Sequence, residues 1–140
     1  MTDDPALNAA MLTSSATTLA ARLRAGDFSS RSLVLTHLEK IAVENPRVNA
    51  FVGLRGLAAL DEADAADAEL AKARTTGTLY SLPPYLGVPC SIKETVELIG
   101  MAQTSGLVSR RDHISSTDAP TVARLRAAGA IPLGVTNVSE

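Results

Sequence analysis

The residues best suited to chemistry fall together in Gly87-Val88-Pro89-Cys90-Ser91-Ile92-Lys93-Glu94. An extended segment points alternate side chains to opposite faces. Val88, Cys90 and Ile92 then share one face, and Ser91 and Lys93 share the other. A lysine that closes an apolar strand in a covered sheet is partly desolvated, and burial disfavours the ammonium form. Carrying such an amine down to neutrality costs on the order of 4 kcal/mol, which a buried site can supply. The neutral amine would act as a general base. The pattern alone is better served by a strand-end lysine with its ammonium in water. Ser91 stands two residues away, about 6–7 Å by the strand rise. That is too far for a direct hydrogen bond, so Ser91 is expected to shape the surroundings of Lys93 rather than to act as a nucleophile. Cys90 faces away from Lys93 and reads as a small buried residue.

The other chemically capable side chains form no constellation. His37 falls on a helical stretch and His113 in a polar one, with no metal-ligand spacing to any partner. Asp61, Asp64 and Asp67 repeat every three residues; an exposed acidic helix face accounts for them better than a cation site. Ser105 and Ser109 read as loop residues, and Arg110-Arg111-Asp112 as a solvated loop. No metal and no cofactor are expected.

Several elements must position the lysine strand. Residues 1–12 read as a loose or partly helical arm. Thr13-Ser14-Ser15 offers N-cap chemistry for a helix with Leu19 and Leu23 on one face, stopped at Ala25-Gly26. Ser29 and Ser30 cap a second helix, where Val34, Leu38, Ile41 and Ala42 keep helical spacing and Asn45-Pro46 is expected to end it. Ala50-Phe51-Val52 predicts a short strand. From Leu57 to Arg74 the pattern predicts a long helix with Ala59, Ala63, Ala66, Leu70 and Ala73 on its buried face. Leu86 to Lys93 reads as a strand and Thr95 to Ile99 as a second one. Pro120 starts a further helix with Val122 and Leu125 on its apolar side and Gly129 as the stop, and Ala130 to Val135 is a strand. This order predicts an α/β fold, a mixed sheet covered by helices.

Composition narrows the classes. The 140 residues hold 13 Lys and Arg against 15 Asp and Glu, so no basic excess exists for a nucleic-acid backbone. No apolar run approaches the roughly 20 residues of a membrane helix. The acidic start Met1-Thr2-Asp3-Asp4-Pro5 is unlike a secretory signal, and the lone cysteine suits a reducing compartment, so a cytoplasmic location is expected. Twenty-three residues are alanine and only four are aromatic, Phe28, Phe51, Tyr80 and Tyr85. Side chains this small bury little area each, so the helices must pack closely or the chain must bury its faces against something else.

Taken in order, these segments resemble the amidase signature family of serine hydrolases. The resemblance runs over roughly residues 15–140. Leu23-Arg24-Ala25-Gly26, His37 to Ile41 and Asn45 to Phe51 look like the family's opening, and Asp64-Ala65-Ala66-Asp67 is similar to its third helix. Gly87-Val88-Pro89 through Lys93-Glu94 looks like the catalytic lysine strand. Asp118-Ala119-Pro120 through Ala130 and Gly134 through Glu140 look like the helix and strand that follow. Lys93-Glu94, Gly100-Met101, Ser105-Gly106-Leu107, Arg110-Arg111-Asp112 and Ala130 to Gly134 are most similar to the fatty-acid amide hydrolase-like branch, which implies substrates with an apolar acyl part. On this resemblance residues 1–14 are an arm and residues 15–140 the leading segment of a single amidase domain.

The resemblance implies a Ser–cis-Ser–Lys triad that cleaves a small-molecule amide to a carboxylic acid and ammonia or an amine. Lys93 would be the base, acting through a bridging serine on a nucleophilic serine, with backbone N–H groups holding the oxyanion. In the family both serines follow the strand that Thr136-Asn137 resembles, and the sequence stops at Glu140. The isolated chain is therefore expected to be inactive and prone to self-association, or to complementation by a C-terminal segment. Two other functions share these residues. One is the glutamine-hydrolysing subunit of a tRNA-dependent amidotransferase. The other is a non-catalytic amidase remnant or interaction module.

Overall fold

A computed structural model describes residues 4–139. In chain order the elements are α1 (Pro5–Thr13), α2 (Ala16–Ala25), α3 (Ser30–Val48), β1 (Phe51–Leu54), α4 (Gly56–Thr76), β2 (Pro89–Lys93), α5 (Pro120–Ala127) and β3 (Ile131–Thr136). Short 3-10 turns lie at Leu79–Ser81 and Val108–Arg110.

The helix starts follow local chemistry. Asp4 accepts the N–H groups of Ala6 (2.9 Å) and Leu7 (3.2 Å), and Pro5 opens α1 without losing a needed donor. Ser15 caps α2 through Thr18 N–H, and Ser29 caps α3 through Ser32 N–H at 2.9 Å. Gly26 ends α2 at φ +85°, a conformation that costs glycine least. The stretch read as a loose or partly helical arm is helical over Pro5–Thr13, and its Met11 is fully buried against the neighbouring helices.

α3 also departs from expectation. Pro46 lies inside the helix, which runs on to Val48 and ends at Asn49 in the left-handed region. A proline removes one ladder bond, here to the carbonyl of Ala42, and that residue is exposed. Asn45 then fixes the exit: its side chain accepts Phe51 N–H (2.8 Å) and donates to Phe51 O (2.9 Å). Ala42 is accordingly not part of the buried face. In α4 the alanine stripe is buried as its spacing predicts, with Ala59 and Ala63 against Val34 of α3 and Ala66 and Leu70 in the cluster with Leu23 and Leu33. Small side chains let the helix axes approach, so the alanine content serves close packing.

The three strands form one mixed sheet in the order β1-β3-β2. β1 is antiparallel to β3, with Leu54 opposite Gly134. β2 is parallel to β3, with Pro89 opposite Ile131 and Lys93 opposite Thr136. The parallel pair needs a crossover, and residues 94–130, including α5, supply it. The register slips between Cys90 and Ile92, where β3 carries one more residue than β2. A bulge reverses the side-chain alternation. Ile131 and Leu133 therefore pack on α3 and α4, while Val135 joins Ile92, Leu98 and Val122 on the opposite side. Gly134 sits in this bulge because a Cβ there would lie 2.1 Å from the carbonyl oxygen of Gly53.

Thr95 to Ile99 forms no strand. Val96 N–H turns back to Lys93 O at 2.8 Å, Glu97 O accepts Ala119 N–H at 2.9 Å, and the Asp118 carboxylate takes Ile99 N–H at 2.8 Å. The backbone groups that a strand would offer to a neighbour go to the start of α5 instead. Val122 is buried, but Leu125 stays 38% exposed, so the apolar face of α5 is narrower than its spacing suggests.

Candidate functional site

Lys93 ends β2 at an outer edge of the described sheet, and its position is fixed through the backbone. Its carbonyl accepts Val96 N–H at 2.8 Å, and the next residue closes the ladder with Glu94 N–H to Thr136 O at 3.0 Å. On the far side Thr136 Oγ1 donates to Ile92 O at 3.4 Å. Lys93 is exposed. The expectation that a covered sheet would dry this amine is not met among the described residues: α5 and residues 96–101 cover the Ile92 face of β2, and the strand end at Lys93 is left open.

Ser91, also exposed, shares the Lys93 face by strand alternation. It opens onto a groove of about 480 Å³ between α1, α3 and the sheet, lined by Leu12, His37, Ile41, Phe51 and Leu133. Cys90, expected to be buried, is half-buried and packs beside Ile92. Burial pushes its thiol up to about 11, with the Glu62 carboxylate adding to the rise and two arginines opposing it. A thiol held this firmly protonated is not a nucleophile near neutrality.

The remaining candidates separate. His37 Nδ1 lies 2.8 Å from Leu33 O within α3, and His113 is exposed. No metal-binding group of His, Cys, Asp or Glu occurs among the described residues. The acidic repeat of α4 is not simply a solvated face. Asp67 accepts the N–H groups of Ser30 (2.7 Å) and Arg31 (3.0 Å) and so caps α3 from outside, while Asp64 pairs with Arg31 at 2.5 Å. Asp61 and Asp64 are exposed as expected, and Asp67 is the one drawn into a structural role.

Arg110 was expected in a solvated loop, and it is half-buried instead. It donates to the Oε1 of Gln103, whose Nε2 donates to Thr95 O at 3.2 Å. Gln103 is buried, and so is Glu94, which accepts the backbone N–H groups of Thr104 and of Ser105 (2.8 Å). Burial alone would raise the Glu94 carboxyl. The Thr104 hydroxyl, the two amides and the Arg110 guanidinium outweigh it and hold the group below the usual carboxylate range. Ser105 takes φ +53° in this loop, and Ser109 is exposed. Glu94 escapes a reading aimed at reactive groups, yet one signal existed: alternation places it on the apolar face of Ile92, where a carboxylate must find donors.

A second polar cluster braces the sheet from the other side. Arg55 pairs with Glu62 at 2.6 Å, Arg126 reaches Glu62 at 3.1 Å and Asp118 at 3.0 Å, and Arg55 also donates to Pro132 O at 2.8 Å. Burial favours a raised Glu62 carboxyl, but the two guanidinium groups hold it below the usual value. This network joins α4, α5, β3 and the loop before α5 into one frame.

Comparison with known proteins places this frame. The Amidase family model matches residues 32–140. The chain is 46% identical over 138 residues to fatty-acid amide hydrolase 2-B of Danio rerio, covering 97% of this chain and 26% of that protein. It is 40% identical over 126 residues to an indoleacetamide hydrolase of Bradyrhizobium diazoefficiens, covering 90% of this chain and 23% of the other. Among solved structures it superposes on the peptide amidase of Stenotrophomonas maltophilia with a TM-score of 0.77 at 33% identity, over 91% of this chain and 25% of that one. The chain thus spans about a quarter of the length of the relatives it matches. The resemblance drawn from the sequence, including its fatty-acid amide hydrolase-like branch, is borne out, and the mixed α/β architecture agrees with it. On the match over residues 32–140, this chain is a member of the amidase family.

Proposed function

We propose that the chain serves amide hydrolysis and that Lys93 is its proton acceptor. The observation that carries this reading is the placing of Lys93: an exposed amine on a strand end whose backbone is anchored on both sides. In the proposed cycle the Lys93 amine accepts a proton from a bridging serine, and that serine takes one from a nucleophilic serine. The nucleophile adds to the amide carbonyl, the returning proton goes to the leaving nitrogen, and ammonia or an amine departs. Water then adds to the acyl-enzyme and releases the carboxylic acid.

Lys93 is the share of the triad carried by these 140 residues, and the two serines come from outside them. A carbonyl-proximal apolar acyl chain is the proposed substrate feature, supported by the 46% identity to a fatty-acid amide hydrolase. The lone cysteine supports a cytoplasmic site of action.

Two assays test the reading. The chain alone, given a long-chain primary carboxamide, is expected to release no ammonia above the uncatalysed rate. A chimera in which this chain replaces the matching 138 residues of the Danio rerio relative is expected to hydrolyse the same amide and to lose at least a thousandfold in kcat with Lys93→Ala. Full turnover by that variant refutes the assignment. Hydrolysis of glutamine in preference to the apolar amide would move the reading to an amidotransferase subunit.

A further inference from the structure

The carboxylate beside Lys93 is buried, fully engaged, and has no part in the proposed proton transfers. Glu94 is 3% exposed. Its two oxygens take the N–H groups of Thr104 and Ser105, and the next amide, Gly106, donates to Thr104 Oγ1 at 3.2 Å. Ser105 at φ +53° and Gly106 at φ +76° curl this stretch so that its amides converge. Successive amides arranged this way form a concave anion site. Here the anion belongs to the chain itself, eleven residues upstream of Ser105. Arg110, through Gln103, ties the far end of the same loop to Thr95 O.

The same residue also ends the sheet. Glu94 N–H makes the last ladder bond, to Thr136 O at 3.0 Å, while its side chain holds the 104–105 loop. Lys93 sits one residue before this anchor and projects from the opposite face. A lysine amine stands roughly 6 Å from its Cα, so a 10° tilt of the strand end would displace it by about 1 Å, enough to matter for proton transfer.

We propose that Glu94 is a positioning residue: by filling the amide concavity of Thr104 and Ser105 it locks the end of β2 and sets the direction in which Lys93 leaves the strand. The proposal rests on the reading of Lys93 as the proton acceptor. It predicts that order at Lys93 depends on a carboxylate at this point and not only on the bulk of the side chain.

The test uses the 140-residue chain, with amide hydrogen exchange and ¹⁵N relaxation at neutral pH. Glu94→Ala is expected to speed exchange at Thr104, Ser105 and Val96 at least tenfold and to lower the order parameter at Lys93. Formate, a free carboxylate small enough for the vacated space, is expected to restore both, and Glu94→Asp to retain part of them. Glu94→Gln keeps the volume and one acceptor, so it answers the question if the alanine variant unfolds; its Lys93 order is expected to fall as well. Unchanged order at Lys93 and unchanged exchange at Val96 in both variants, with Thr104 and Ser105 opened, would overturn the proposal and reduce Glu94 to a loop anchor. These measurements need no catalysis. A Lys93→Ala chimera that still turns over amide would refute the proton-acceptor reading while leaving them intact.

Discussion

The helical scaffold and the loop crossover of residues 94–118 are ordered by different means. In the scaffold, α3, α4 and β3 meet through Val34, Ala59, Ala63, Ile131 and Leu133, all buried apolar groups. In the crossover, backbone turns and one buried apolar residue, Leu98, are tied together by side chains bonded to backbone: Glu94 to Thr104 and Ser105, Gln103 to Thr95, Asp118 to Ile99. Apolar packing spreads its energy over many weak contacts and tolerates the loss of any one. A buried polar network concentrates its energy, and removing a member leaves partners that water cannot reach. The proposed catalytic lysine stands where these two kinds of order meet.

The sharpest way to break the scaffold is Gly134→Ala. The new Cβ would meet Gly53 O at 2.1 Å and Leu54 Cα at 2.9 Å, backbone that cannot move aside without parting β1 from β3. The expected loss is about 3 kcal/mol or more, read as a fall in the urea midpoint. A midpoint within the error of the parent would show that β1 contributes little to the fold.

Gln103→Leu tests the crossover. It removes the donor to Thr95 O and strands Arg110 in a half-buried position, at a cost of about 1–3 kcal/mol. The expected signature is faster exchange confined to residues 94–118, with α3 and α4 amides unchanged. Uniform acceleration across both regions would mean that they unfold as a single unit and that the contrast drawn above is wrong.

Acid distinguishes the regions by the identity of the titrating group. Glu94 has a folded-state pKa below its unfolded value. Its stabilising contribution is therefore full above the ordinary carboxylate pKa and is lost as pH falls through the lower folded value. Protection at Thr104 and Ser105 should fall over that acidic window in the parent and be flat across it in Glu94→Gln. Glu62 carries a shift of the same sign, so the scaffold around Arg55 and Arg126 should also weaken in acid, and that loss should survive the Glu94 substitution.

Cys90 supplies a quieter probe on the strand itself. Its thiol is raised from 9.0 to about 11, so below pH 9 the native thiolate is about a hundredfold scarcer than in the unfolded chain. Iodoacetamide should label native protein at least that much more slowly than denatured protein. Equal rates would show that β2 opens readily. The smallest effect is expected at Lys40–Glu44, an exposed pair at 2.8 Å. Lys40→Ala should leave the midpoint of a thermal melt within the error of the parent.

How much of this was legible follows from the same contrast. The stripe Ala59, Ala63, Ala66, Leu70, Ala73 and the strand ending at Lys93 came from periodicity, because burying an apolar face leaves a regular trace in the residues. The family likewise followed from segments in their order along the chain. Pro46 misled because a proline is tolerated where the orphaned carbonyl can face water, which depends on exposure rather than on the residue itself. Thr95 to Ile99 misled because a run with Val, Leu and Ile looks extended, while its hydrogen bonds are taken by Asp118 and Ala119, about twenty residues on. Glu94, Gln103 and Arg110 were hidden for the related reason that side-chain-to-backbone bonds across a loop have no period.

The central strand of the sheet is the last element to leave the ribosome among those described. β1 and β2 have no described partner but β3, and β3 begins only at Ile131. During synthesis α3 and α4 must wait with Val34, Ala59 and Ala63 uncovered by that strand until it arrives. A nascent chain stalled short of residue 131 should accordingly be a client for hydrophobic-segment chaperones, and release of that client should coincide with emergence of β3 from the exit tunnel.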